Sequence, residues 1–109
     1  MTQQSFPPLP DSLDELLEYA FRHKEQKQDD QALAAFRQIR QSFPDSDAAL
    51  MAAIEIVTLL KDRGAYDEAI RVMGEAKTLS CVQKDSPLAE EIINTVAYLR
   101  IVKNVLLHR

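Results

Sequence analysis

Apolar residues recur at three- and four-residue steps along most of the chain, the spacing that gathers them on one face of an α-helix. The first stripe is Leu13, Leu16, Leu17, Ala20 and Phe21, and it ends at the polar stretch Lys24 to Gln28. Ser12, with Glu15 three residues on, predicts a capping box that satisfies free amides of the first turn. A second stripe, Ala32, Leu33, Ala35, Phe36, Ile39 and Phe43, opens near Asp29 or Asp30 and is stopped by Pro44. Asp45, Ser46 and Asp47 then offer N-caps for a third helix, where acidic side chains suit the positive end of the helix dipole. That helix carries Ala48, Leu50, Met51, Ala53, Ile54, Ile56, Val57, Leu59 and Leu60. It is apolar around most of its circumference, which predicts a central helix covered on more than one side.

Gly64 is placed to end the third helix in a left-handed conformation, and Tyr66-Asp67-Glu68-Ala69 opens a fourth with the stripe Ala69, Ile70, Met73, Ala76 and Leu79. Gly74 in its interior predicts close packing against a neighbouring helix. After a polar link from Ser80 to Asp85, Ser86 caps a last helix with Pro87 in its first turn. This helix holds Leu88, Ile92, Ile93, Val96, Ala97, Leu99, Ile101, Val102, Val105, Leu106 and Leu107, more apolar residues than one contact face hides. The short links predict two antiparallel hairpins, first with second and third with fourth.

Composition agrees with this pattern. Two glycines, no tryptophan and few β-branched runs favour helix over sheet. A chain of 109 residues supports one core, so the expectation is a single all-α domain over residues 12–109 behind a flexible Pro-rich tail, 1–11. In that tail Pro7, Pro8 and Pro10 exclude a helix; they read as a leader into the first helix, or alternatively as a polyproline ligand. The net charge of −4 argues against binding nucleic acid through its phosphates. The basic residues Arg22, Lys24, Lys27, Arg37 and Arg40 are interspersed with acids and read as a solvated face. One cysteine, Cys81, cannot form an internal disulfide, which favours a reducing compartment and a cytoplasmic location. No apolar run approaches the roughly 20 residues of a membrane span.

Chemistry has little to build on. The thiol of Cys81 with His23 or His108 is the nearest approach to a catalytic pair, and neither histidine has a second ligand at metal-binding spacing. The expectation is no enzyme, no metal and no cofactor.

Two hairpins in series invite a search for repeats. Asp29-Asp30-Gln31-Ala32, Phe36, Ile39 and Pro44 recur loosely as Tyr66-Asp67-Glu68-Ala69, Met73, Ala76 and Cys81. This resembles the tetratricopeptide repeat family, with Gly64 to Ala69 the best-matching turn. The pattern carried back puts Leu16, Tyr19, Ala20 and His23 in the signature places of one unit and Ala53, Ile56, Val57 and Leu60 in those of the next. There is no tryptophan, Val57 stands where a small residue is usual, and Ala32 and Ala69 lie 37 positions apart against the family's 34.

The resemblance implies a right-handed superhelix that binds protein, as an adaptor or chaperone-like domain, on a concave face lined by the first helix of each unit. That face would present Leu17, Phe21 and Lys24, then Met51, Ile54, Glu55 and Thr58. Leu17, Phe21 and Glu55 stand where chaperone-binding members carry a basic clamp for a C-terminal carboxylate, so the implied ligand is an apolar helix or peptide with some positive charge. Alternatively the last helix fills this groove itself. The rival expectation is a structural bundle, a homodimer joined through Ile93, Ile101, Val105 and Leu106 of the last helix.

Overall fold

The computed structural model describes residues 8–107, which form six α-helices and no strand. They are α1 (Leu13–Glu25), α2 (Asp29–Ser42), α3 (Asp47–Asp62), α4 (Tyr66–Ala76), α5 (Ser80–Gln83) and α6 (Ser86–Leu107). Local chemistry sets the starts. The Ser12 hydroxyl accepts the Glu15 amide at 3.2 Å and donates to the Glu15 carboxylate at 3.1 Å. The Ser46 hydroxyl accepts the Ala49 amide at 3.1 Å and donates to the Phe43 carbonyl at 2.6 Å, tying the end of α2 to the start of α3.

The turns inside the two hairpins are built alike. In the first, the Gln28 amide reaches the His23 carbonyl at 2.9 Å and the Lys27 amide the Lys24 carbonyl at 3.1 Å, with Lys27 at φ +62°. In the second, Ala65 reaches Leu60 at 2.8 Å and Gly64 reaches Lys61 at 3.0 Å, with Gly64 at φ +80°. Both are Schellman turns, which satisfy the last carbonyls of one helix through a left-handed residue before the next begins.

Packing runs in chain order: α1 against α2, α2 against α3, α3 against α4, then α4 against α6 with α5 bracing α6. The core follows a repeated register. Leu16, Tyr19, Ala20, Ala32, Ala35, Phe36 and Ile39 are buried, and so are their counterparts 37 positions on, Ala53, Ile56, Val57, Ala69, Val72, Met73 and Ala76. In α6 the buried pair Ile92 and Leu99, with half-buried Thr95 and Val96 between, repeats the same spacing. Leu9 is half-buried against the core, whereas residues 1–7, Pro7 included, and residues 108–109, His108 included, lie outside the described residues.

Four expectations need correction. Asp85, not Ser86, caps the last helix, its carboxylate accepting the Leu88 amide at 3.0 Å. The polar link Ser80 to Asp85 contains α5, so there are six helices; Val82 is fully buried and pins this turn to the core. Its start is stapled by Asp45, whose carboxylate accepts the Ser80 amide at 2.6 Å and hydroxyl at 2.7 Å. These bonds hold the Asp45 carboxyl below its ordinary value. The fourth helix ends at Ala76, and Leu79 caps α5 instead of completing the α4 stripe, where Val72 is buried. Gly74 meets no neighbour: a Cβ built there finds nothing within 4 Å.

Candidate interaction surfaces

The residues assigned to a concave face divide between two settings. Where α1 meets α3, Lys24 Nζ donates to Glu55 Oε1 at 2.5 Å, and the same ammonium stands 5.7 Å from the centre of the Phe21 ring. Phe21 packs edge-on against buried Phe36, with ring centroids 5.2 Å apart and planes at 82°. Leu17, Phe21 and Met51 are half-buried against the core. This corner is therefore largely occupied by its own contacts, and Lys24 and Glu55 neutralise each other.

Ile54 and Thr58, one turn apart on α3, line an open cleft between α3 and α6 of about 220 Å³. Val57 and Lys61 continue the α3 wall, Met73 reaches in from α4, and α6 supplies Leu88, Glu91, Ile92, Thr95, Tyr98 and Leu99. Val57, Met73, Ile92 and Leu99 are buried, while Ile54 (42% exposed) and Tyr98 (57% exposed) stand at the mouth. The Thr58 hydroxyl donates to the Ile54 carbonyl at 3.1 Å and that of Thr95 to the Glu91 carbonyl at 2.9 Å. With both hydroxyls bonded to their own helices, the polar groups left on the wall are Lys61 and Glu91, one of each charge, and the Tyr98 phenol. Sequence reasoning missed the α6 side, Leu88, Glu91, Thr95 and Tyr98; the signal was the helical spacing of Glu91, Thr95 and Tyr98.

A larger hollow of about 430 Å³ lies between α2 and α4, but its charges are spent on one another. Arg37 reaches Glu68 at 3.1 Å, Arg40 reaches Glu75 at 3.0 Å, and Arg71 spans Glu75 at 3.1 Å and Glu68 at 3.6 Å. The hydrogen bond from Arg40 is the main reason the Glu75 carboxyl sits below its ordinary value.

On α6, Ile93, Ile101 and Val105 are at least half exposed, with Leu106 at 43%. Leu106 borders a separate hollow with Leu107, Tyr66 and Gly64, beside the ion pair of Lys103 with Asp67. The candidate catalytic groups are turned to other uses. Desolvation, then the nearby Asp47, pushes the Cys81 thiol up, away from the reactive thiolate. His23 Nδ1 donates to the Tyr19 carbonyl at 2.8 Å, and its ring stacks on Tyr19 at 4.0 Å. Among the described residues no three His, Cys, Asp or Glu side chains are grouped to hold a metal ion, and no helix is long and apolar enough to cross a membrane.

No protein-family model, curated protein or solved structure matches this chain.

Proposed function

We propose that the chain is a non-catalytic protein-interaction module, two and a half tetratricopeptide-like units arranged as a superhelix, that receives an apolar peptide or helix in the cleft between α3 and α6. The observation that carries this reading is the cleft itself: two helices one unit apart hold an apolar wall open, with Ile54 and Tyr98 left in water at its mouth. The matched Schellman turns and the burial register that recurs at 37 positions support the repeat reading. They relate α1 to α3 and α2 to α4; we read α6, where Ile92, Thr95, Val96 and Leu99 keep the inner spacing, as the first helix of a further unit, and on that reading the cleft falls where such a repeat presents its binding face. A partner helix laying an apolar stripe along α3 and α6 covers Ile54 and Tyr98, and the net charge of −4 favours a ligand with basic flanks. The unpaired Cys81 suits a cytoplasmic, adaptor-type role.

The test uses a fluorescein-labelled amphipathic peptide of about four helical turns with a leucine stripe and lysine flanks. Binding read by anisotropy should weaken at least tenfold, about 1.4 kcal/mol, in Ile54→Glu and in Tyr98→Glu. Equal affinity in both variants and the parent, with helicity intact, rejects the cleft as the binding site.

A further inference from the structure

The outer side of α6 carries a second surface, distinct from the cleft. Ile92 and Leu99 face the body; at 3.6 residues per turn, Ala97 and Ile101 fall on the opposite side, with Ile93 and Val105 at its two edges. Ile93 is 50% exposed, Ile101 61% and Val105 58%, and Ala97 between them is exposed too. The contrast with α3 is informative. Both helices are apolar almost all the way round, but α3 is clasped between α2 and α4, whereas α6 has α4 and the short α5 on its inner side only.

From this geometry we infer that α6 pairs antiparallel with α6 of a second copy of this chain, about a two-fold axis passing near Ala97. Three features point to a second copy. The stripe is its own complement: reversed about Ala97, Ile93 comes level with Ile101 of the partner, and the small side chain at the axis lets the backbones approach. The charges on this side are polarised along the helix, Glu90 before the stripe and Arg100 within its second half, both exposed. Antiparallel pairing sets Glu90 about four residues, roughly 6 Å, along the axis from Arg100 of the other copy, within reach of an arginine side chain. Parallel pairing would set Glu90 against Glu90 and Arg100 against Arg100. Finally, α6 runs for 22 residues, about 33 Å. The exposed stripe from Ile93 to Val105 takes up about 18 Å of that length, a strip too short to bury the roughly 800 Å² per partner of a standard stable interface, so the dimer forms reversibly with concentration.

The test is a single cysteine placed at the axis. In a Cys81→Ser background, Ala97→Cys should oxidise to a covalent dimer under native conditions, while Glu90→Cys, whose copies are held apart at opposite ends of the pair, should not. Linkage through both positions would mean a parallel pair and overturn the inference. In sedimentation across a dilution series the parent should pass from 12.4 kDa to twice that mass. Glu90→Arg should weaken the dimer at least fivefold, and adding Arg100→Glu should restore it, each with unchanged circular dichroism. A mass of 12.4 kDa at every concentration, or a double exchange that fails to restore pairing, overturns the proposal.

Discussion

Two residues a half-turn apart on α6 should respond very unequally to the same truncation. Leu99 is 1% exposed and Ile101 is 61% exposed. Leu99→Ala removes three buried carbons from the wall where α6 meets the core and leaves a cavity, which costs about 2 to 5 kcal/mol. Ile101→Ala removes a side chain already mostly in water, and a surface change of that kind stays within about 0.5 kcal/mol. For a domain of this size 1 kcal/mol moves the melting temperature by about 4 to 8 °C, so Leu99→Ala should lose on the order of 15 °C and Ile101→Ala no more than about 4 °C. The assay is thermal and urea denaturation followed by circular dichroism, at a protein concentration low enough that the mass is 12.4 kDa. An Ile101→Ala loss equal to that of Leu99→Ala would refute the placement of α6, because it would require the helix to be clasped on its outer side within one copy.

Further substitutions probe the turns and caps by the same melts. Gly74 has free space where a side chain would go, so Gly74→Ala should stabilise by about 0.5 to 1 kcal/mol. Gly64 sits at φ +80°, and Gly64→Ala should cost about 1 to 2 kcal/mol although nothing lies within 4 Å of the new methyl. Ser46→Ala removes the cap of α3 and its bond to the Phe43 carbonyl and should cost about 1 kcal/mol. Asp45→Asn, which keeps a residue tolerant of φ +54°, should be less stable than the parent at neutral pH. The ionised Asp45 carboxylate is favoured by folding, so its contribution is in full force above the ordinary value of 3.8 and is lost as pH falls through the lower folded value. The gap between parent and Asp45→Asn should therefore close in strong acid, and a gap unchanged from neutral to acid would contradict the staple.

The helices were legible wherever apolar spacing and a capping residue agreed. Ser12, Ser46, Pro44 and Gly64 punctuate the chain in the places where α1, α2 and α3 begin or end. What stayed hidden depends on contacts far apart in sequence. The turn of α5 is too short to show a period, and its anchors are one buried valine, Val82, and the Asp45 carboxylate, which lies 35 residues before the Ser80 it binds. Gly74 shows the reverse error: its type invites a close approach that the packing does not make. The same limit shaped the site. Helical spacing placed Leu17 and Phe21 on α1 and Ile54 and Thr58 on α3, but it could not reveal that Lys24 would close on Glu55. Nor could it show that α6 would stand off α3 far enough to leave the mouth at Ile54 and Tyr98 open.

The most direct test of the interaction-module reading is a residue-resolved titration: amide chemical shifts of the isotopically labelled chain followed as the leucine-striped, lysine-flanked peptide is added. The account predicts saturable shifts concentrated on Ile54 to Lys61 of α3 and Glu91 to Tyr98 of α6, with the α2 and α4 surface around Arg37 and Glu68 unmoved. Shifts centred on that α2 and α4 surface, or none at saturating peptide, would contradict it.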